Sequence, residues 1–375
     1  MMKKLIVSLL VLAMALSAVS AAVDFSGSLT AGYAFQYNNR EDVWRNHIMG
    51  DDGEDTNTTS LNLGIGDDNG IWKITLEGAM ITDESGEVSG DITVDLAKSI
   101  AAAFGTTTDW SVDLSFYAND RLTGLRAYSM QKNLDRIRTA DGGLKVALNV
   151  GYSDIFDLMI GGSPSTVDDV EDSFAHLGAK EGDLMVSALV KPLDGLAVSA
   201  TYALKGDVTD SGVDTNATGD YGNGIFGASA NVDLATLIGL DFSLGVGLSE
   251  KYQFDLNNNI FAAAVYGAFD AVGFEAQYGL KTYGNDRTEH FLYTGVDITA
   301  VENMLLDVYF GAYNLSEFAD SWYIGGDVGY TMSNVTYKLG IEYGGGTSYA
   351  YDDNYYATDK SAAGLWIVPS ISVAF

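Results

Sequence analysis

Short runs of alternating apolar and polar residues recur along almost the whole chain, and this pattern limits the fold more than any other feature. The clearest runs begin at Leu144, Leu240, Val272 and Val335, with an apolar residue at every second position. A period of two is typical of a β-strand with one apolar face. Most runs approach the ~9–11 residues of a tilted strand that crosses a bilayer. The chain is therefore predicted to be all-β, with membrane-spanning strands.

The connections between these runs alternate in length. Short ones, such as residues 192–195 and 331–334, contrast with long polar ones, such as residues 207–223 and 344–361. Bacterial outer-membrane barrels show this asymmetry, with short turns on the periplasmic side and long loops outside. We predict a transmembrane antiparallel β-barrel, with 16 strands favoured within a range of 14–18, because the number is even and the chain supplies roughly 22 residues per strand and connection.

The N-terminus predicts export. Lys3 and Lys4 precede an apolar run from Leu5 to Val19, and small residues follow this run. This is the arrangement of a Sec signal peptide, assigned here to residues 1–21, and the run is shorter than the ~20 residues that an uncleaved membrane anchor needs. Residues 22–375 are then expected to form the barrel, without a preceding plug domain.

The C-terminus is itself a strand with alternating residues. Ile371 and Val373 lie on its apolar face, and Phe375 is the last residue. This tail resembles the signal that the barrel-assembly machinery reads on barrel proteins. The whole mature chain resembles an outer-membrane porin of a diderm bacterium, although it lacks the Pro-Glu-Phe-Gly-Gly stretch that general porins commonly carry in their third loop. The resemblance implies contact with outer-membrane lipid and delivery by periplasmic chaperones, and it makes a homotrimer a candidate assembly.

Acidic residues dominate the composition. The net charge is −31, from 51 Asp and Glu against 20 Lys and Arg, which argues against a nucleic-acid partner. If the apolar positions face lipid, their neighbours face the lumen, and these are mostly carboxylates: Glu77, Asp95, Asp113, Glu275, Asp297, Asp307, Asp327 and Glu342, against Lys73, Lys145 and Lys338. Such a wall would concentrate cations. The alternative is that these charges only form local salt bridges.

One connection departs from this acidic character. Residues 119–143 carry a set of basic side chains: Arg121, Arg126, Lys132, Arg136 and Arg138. They follow the predicted fifth strand and form the third external loop, which in general porins folds inward and narrows the pore. Within this loop Met130, Leu134 and Ile137 have the spacing of a short amphipathic helix. The loop is therefore a candidate constriction, and a surface loop or an extra hairpin is the alternative.

Other kinds of chemistry find little support in the sequence. The acidic runs at residues 51–57 and 168–172 lack the spacing of a calcium-binding loop, so no metal site is predicted. With three histidines, no cysteine and no common catalytic motif, neither an enzyme nor a cofactor is predicted. The favoured function is passive diffusion of small hydrophilic solutes or ions, with a preference for cations. The alternative is a structural or adhesive surface barrel that binds ligands through its acidic external loops.

Overall fold

The computed structural model describes most of the chain that follows the predicted signal peptide. The described residues are 23–38, 43–48, 60–67, 69–79, 88–118, 122–130, 134–139, 144–162, 184–204, 224–254, 257–284, 288–312, 314–315, 321–344 and 364–375. The predicted signal peptide and both acidic runs lie outside these residues.

Nineteen strand segments form one antiparallel sheet. They are β1 (Val23–Asn38), β2 (Val43–Ile48), β3 (Ser60–Asp67), β4 (Trp72–Ala79), β5 (Val88–Asp95), β6 (Trp110–Ala118), β7 (Leu144–Tyr152), β8 (Phe156–Gly162), β9 (Met185–Leu193), β10 (Leu196–Ala203), β11 (Ile225–Asp233), β12 (Ser243–Gln253), β13 (Asn258–Phe269), β14 (Val272–Thr282), β15 (Thr288–Ile298), β16 (Met304–Ala312), β17 (Trp322–Met332), β18 (Val335–Gly344) and β19 (Gly364–Ala374). β1 pairs with β19, so the sheet closes into a barrel.

The barrel has 18 strands and not the 16 that the sequence favoured. There are nineteen segments because β2 and β3 together occupy the place of a single strand next to β1. The upper half of β1 pairs with β2, from Tyr33 opposite Ile48 to Asn38 opposite Val43, and its lower half pairs with β3, from Val23 opposite Asp67 to Thr30 opposite Ser60. β2 and β3 are thus two parts of one interrupted strand.

The outer face of the barrel carries the apolar residues of the alternating pattern. On β16 and β17, for example, Leu306, Val308, Ile324 and Val328 are all exposed. Their neighbours along each strand point into the lumen, because successive side chains of a strand alternate between its two faces. We call this outer face the apolar belt. On β4 and β5, Trp72, Ile74 and Ile92 belong to a buried apolar cluster.

Connections at the two ends of the barrel differ, as predicted. At one end are tight turns, such as residues 194–195 and 270–271, and two short helices, α1 (Leu96–Ala103) and α2 (Leu234–Ile238). Asp95 and Asp233 cap these helices by accepting hydrogen bonds from Lys98 N and Thr236 N. The strand ends that lead into the longer connections lie at the opposite end, so the register separates a short-turn end from a long-loop end.

No helix in the part of the chain that the structure describes is both long and apolar enough to cross a membrane.

Candidate functional site

The described part of the third long connection lies inside the barrel. It follows β6, and we call its described residues 122–130 and 134–139 the lumen loop. The first and last residues of the lumen loop are hydrogen-bonded to each other. Gly124 N donates to Ile137 O at 2.9 Å, and Thr139 N donates to Leu122 O at 3.0 Å. The predicted short helix is absent from these described residues. Met130, Leu134 and Ile137 are nevertheless only 2–3% exposed, because the loop packs against the inner wall.

Hydroxyl groups of the wall hold the backbone of the lumen loop. Leu125 N donates to Ser187 Oγ at 2.8 Å, and Ala127 N donates to Ser229 Oγ at 2.9 Å and to Ser199 Oγ at 3.2 Å. The Ser199 and Ser229 hydroxyls are themselves 2.7 Å apart. Strands β9, β10 and β11 supply these serines, and the loop crosses them in sequence. The serines satisfy backbone N–H groups that would otherwise be buried without an acceptor.

Small wall residues make room for the apolar side chains of the lumen loop. Leu122 and Ile137 pack in one cluster with Ala147, Met159, Met185, Ala203 and Ile225. Met130 and Leu134 pack in a second cluster with Ile260, Ala262, Ala264 and Phe291. A Cβ atom added to Gly227 would lie 2.6 Å from Ile137 Cδ1, and one added to Gly279 would lie 2.8 Å from Leu134 Cδ1. Two of the buried apolar clusters of this barrel therefore lie between the lumen loop and the strands β7–β15.

Tyr128 marks the deepest described contact of the lumen loop. Its ring stacks on Tyr266 of β13, with centroids 4.8 Å apart, and its hydroxyl donates to the Glu275 carboxylate of β14. Burial, together with this hydrogen bond to a carboxylate, raises the pKa of Tyr128 well above its ordinary value. Glu275, a predicted pore-lining residue, is thus engaged by the loop, and it also accepts a hydrogen bond from Gln277.

One basic side chain of the lumen loop contacts an acidic residue of the same loop. Arg126 Nη1 lies 3.5 Å from Asp135 Oδ1, and the backbone N–H of Met130 donates to the same oxygen at 3.0 Å. Burial raises the pKa of Asp135, although Arg126 opposes that shift. Arg136 is buried and Arg138 is partly exposed, whereas Arg121 and Lys132 lie outside the described residues.

Two lysines of the wall were not among the residues predicted from the sequence to face the lumen. Lys251 and Lys281 lie on the lumen face of β12 and β14, and both are buried. Lys251 Nζ donates to Arg136 O at 2.9 Å, so it fixes the second limb of the lumen loop. The alternation of β12 predicts this orientation, but the clear apolar run ends at Leu248, before the lysine. Lys145, which was predicted to face the lumen, is also buried.

The wall beyond the loop carries a row of aspartates. Asp307 of β16 lies opposite Asp297 of β15 and opposite Asp327 of β17, so three carboxylates occupy neighbouring strands at one register. Lys338 Nζ of β18 lies 2.8 Å from Asp327 Oδ2, and its side chain is 46% exposed. Asp297 is exposed as well. We call β15–β18 the far wall and β7–β14 the loop-bearing wall.

Tyrosines lie flat against glycines along the far wall. A Cβ atom added to Gly325 would lie 2.7 Å from Tyr309 Cζ, and one added to Gly311 would lie 2.2 Å from Tyr323 Cζ. The Tyr309 hydroxyl donates to Glu342 Oε2 at 3.0 Å, which accounts for one predicted lumen carboxylate, itself fully buried. Each ring covers backbone that no side chain protects.

The other predicted residues lie at the short-turn end or on the opposite arc of the barrel. Asp95 of β5 is opposite Asp113 of β6, and it is buried where it caps α1. Lys73 of β4 is exposed. Glu77 lies on β4 opposite Asn62 and Ser89, but the structure does not describe its side chain. Within the described ranges, no group of acidic or histidine residues is arranged to hold a metal ion.

The C-terminal residue joins the first strand to the last. Gly27 N donates to Phe375 O at 2.7 Å, and Phe375 N donates to Gly27 O at 2.9 Å. The Phe375 ring covers Gly27, because a Cβ atom there would lie 2.7 Å from its Cε2. Ile371 lies on the outer face opposite Tyr337, and Val373 lies opposite Leu29 and Val335. Reading of this tail by an assembly machinery stays a prediction.

Solved structures with a similar fold exist. OccAB2 of Acinetobacter baumannii aligns with a TM-score of 0.55 and 9% identity over 95% of this chain and 98% of its own. OpdQ of Pseudomonas aeruginosa aligns with a TM-score of 0.54 and 10% identity over 95% of this chain and 98% of its own. A mutant of Rh. blastica porin aligns with a TM-score of 0.48 and 10% identity over 94% of this chain and 100% of its own.

No family model and no curated protein matches the sequence. At these identities the similarity to solved structures concerns the fold. A closed barrel with an apolar belt buries that belt in lipid. The chain accordingly has the porin-like architecture of an integral outer-membrane β-barrel.

Proposed function

We propose that this barrel is a passive diffusion channel for small hydrophilic solutes and ions, and that it prefers cations. A barrel of 16–18 strands is wide enough to leave an aqueous channel. The observation that carries the proposal is the position of the lumen loop. It is held against one wall by hydrogen bonds and apolar packing, so we place the water path along the far wall, where Asp297 and Lys338 are exposed and Asp307 is partly exposed.

The cation preference rests on the balance of charges along that path. Arg126 faces Asp135 and Lys251 binds a carbonyl, so two cations of the loop-bearing side have partners close by. On the far wall, Asp297, Asp307 and Asp327 share one register, and Lys338, which lies opposite Gly329, reaches Asp327 from β18. A lumen lined by carboxylates raises the local cation concentration and repels anions. Permeation of this kind needs no chemical step and no cofactor.

Reversal potential in a planar bilayer under a potassium chloride gradient tests the proposal. The wild-type channel should reverse at a potential that favours cations. The variant Asp297→Asn, Asp307→Asn, Asp327→Asn should lose most of this preference, since the charges nearest the path are gone. The matched control, Asp194→Asn, Asp270→Asn, Glu302→Gln, removes three carboxylates from the short-turn rim. These carboxylates are exposed to bulk salt, which screens their charge within a Debye length of ~8–10 Å.

Three outcomes separate the possibilities. A large shift in the lumen variant with a small shift in the rim variant supports the proposal. Equal shifts in the two variants would show that the aspartate row does not set selectivity. Folded protein that inserts but never conducts would exclude a channel, and the structural or adhesive barrel would then be the better explanation.

A further inference from the structure

One lysine of the far wall reaches into the row of carboxylates that we call the aspartate row, namely Asp297, Asp307 and Asp327. Lys338 Nζ lies 2.8 Å from Asp327 Oδ2, while 46% of the lysine side chain stays exposed. The backbone of Lys338 lies opposite Gly329 and not opposite an aspartate, so its side chain extends along the wall to bring the ammonium group to the row. The charge of Lys338 is therefore in contact with the row and accessible to solvent.

Glycines beside this ion pair leave room for the lysine side chain. A Cβ atom added to Gly329 would meet nothing nearer than Leu305 Cβ at 3.8 Å. Gly340, which lies opposite Asp327 on β18, has no side chain either. The ammonium group of Lys338 can thus lie beside the aspartate row without displacing a neighbouring side chain.

Exposure and position separate Lys338 from other lysines of the lumen wall. Three of these are buried, namely Lys145, Lys251 and Lys281. Lys73 is exposed, but β19, β1 and β3 lie between its strand, β4, and β18. Four steps of about 4.8 Å give a separation of about 19 Å, which exceeds the Debye length of ~8–10 Å. Among these lysines, Lys338 is the one that is both exposed and in contact with the aspartate row.

A fixed positive charge in the row acts on an ion according to the valence of the ion. Asp307 lies directly opposite Asp327 on the neighbouring strand, so a cation at Asp307 is roughly 5 Å from the ammonium group of Lys338. At that distance in water, Coulomb's law lowers the concentration of a monovalent cation about fourfold and that of a divalent cation about sixteenfold. Salt screens this effect only partly, because the distance is shorter than the Debye length.

We propose that Lys338 is the specificity-determining residue of the aspartate row, and that its charge makes the channel prefer monovalent to divalent cations. This inference rests on the proposed cation channel and deepens it by naming the valence of the preferred ion. Without the lysine, three carboxylates on neighbouring strands would attract a divalent cation most strongly. With it, the row stays negative enough to attract monovalent cations, but it binds a divalent cation less tightly. Conduction requires that an ion can also leave its site.

The permeability ratio of calcium to potassium tests this inference. It is obtained from the reversal potential of the reconstituted full-length barrel, with potassium chloride on one side of a planar bilayer and calcium chloride on the other. Lys338→Met should raise the ratio about fourfold. Lys338→Arg keeps the charge and should stay within about twofold of the wild type. Lys73→Met, which removes an exposed lysine remote from the row, is the matched control and should leave the ratio unchanged.

Substitution of Asp327 separates the charge of Lys338 from the ion pair as such. Asp327→Asn keeps the lysine but removes its carboxylate partner, so the ratio of calcium to potassium permeability should fall below that of the wild type. The double variant Asp327→Asn, Lys338→Met has the same net charge as the wild type, and its ratio should return close to the wild-type value. A ratio that stays low in the double variant would contradict an effect of charge.

Heat-modifiable gel migration shows that each variant is folded. An unchanged ratio in Lys338→Met, or an equal rise in Lys338→Arg, would overturn the inference. If the wild type favours cations in a potassium chloride gradient and Lys338→Met still behaves like Lys73→Met, this inference fails and the cation channel stands. Folded wild-type protein that does not conduct, or that conducts without cation preference, would overturn both proposals.

Discussion

The loop-bearing wall and the far wall belong to one sheet with one continuous register, yet their inner faces differ in the size and charge of their side chains. The loop-bearing wall is built from serine, alanine and glycine, as at Ser199, Ala262 and Gly227. The far wall is built from aspartate, glutamate and tyrosine, as at Asp307 and Tyr309. The first wall packs against the lumen loop, and the second carries the aspartate row that we propose borders the water path.

This difference shows that a lumen face is not uniformly polar. Where the lumen loop packs, the wall behaves like the interior of a soluble protein, with close packing and saturated hydrogen bonds. Charged side chains occur on both walls, but the lysines of the loop-bearing wall, such as Lys145, Lys251 and Lys281, are buried, whereas Asp297 and Lys338 of the far wall are exposed. Alternation along each strand decides which residues face the lumen. The path of the loop decides which type of residue fits at each of these positions.

The largest effect should appear when a glycine that faces the lumen loop is enlarged, compared with a far-wall glycine that no tyrosine ring covers. Gly227→Leu would place its first side-chain atom 2.6 Å from Ile137 Cδ1 and 3.1 Å from Glu250 O. Overpacking there should lower the free energy of unfolding by about 3 kcal/mol, or should displace the loop and change the single-channel conductance. Urea titration in vesicles and bilayer recording measure the two effects.

Gly329→Leu is the matched control on the far wall. A Cβ atom at Gly329 meets its nearest neighbour, Leu305 Cβ, at 3.8 Å, which is an ordinary contact. The free energy of unfolding should change by less than about 1 kcal/mol. If both variants lose the same stability, the two walls are equally tight and the comparison between them is wrong.

A smaller contrast is expected for lysines. Lys251 is 1% exposed and binds Arg136 O, so Lys251→Met should cost about 2 kcal/mol by leaving a buried carbonyl without this donor. Lys338→Met removes a partly exposed ion pair with Asp327 and should cost about 0–1 kcal/mol. Urea titrations of the two variants give both values. A greater loss for Lys338→Met would reverse the assignment of roles.

The smallest effect concerns pH and the buried carboxyl of the lumen loop. Burial raises the pKa of Asp135 in the folded protein, so folding favours its protonated form. Its contribution to stability is fully present below the ordinary pKa of 3.8 and is lost as the pH rises through the raised pKa. Asp135→Asn should therefore gain stability relative to the wild type as the pH rises from below 3.8 through the raised pKa of Asp135. Parallel urea titration curves at all pH values would contradict this sign.

Alternation alone predicted much of the architecture. The barrel class, the outward position of residues such as Leu306 and Tyr337, and the asymmetry between the two ends all follow from the period of two and from the lengths of the connections. Residues 119–143 were also predicted to follow the fifth strand, and β6 is the fifth strand of the barrel when β2 and β3 are counted as one.

The strand count failed for a physical reason. Strands such as β11 and β13 carry alanine, glycine or serine on both faces, for example Ala262, Ala263 and Ala264 in a row. Their hydrophobic alternation is weak because their inner face must accommodate the lumen loop. The anchors of the loop were missed for the same reason. Ser187, Ser199 and Ser229 are small hydroxyl residues on three strands, and only the path of the loop brings them together.

The pairing of tyrosine with glycine on the far wall has a consequence for the bore of the barrel. The tyrosine rings over Gly311 and Gly325 fill the space that a side chain at those positions would occupy. These aromatic residues therefore extend only a short distance from the wall into the lumen. Strand number sets the circumference of the barrel, but the free radius also depends on these glycines. Substituting alanine at one of them would tip a tyrosine inward and narrow the passage while the backbone of the barrel stays the same.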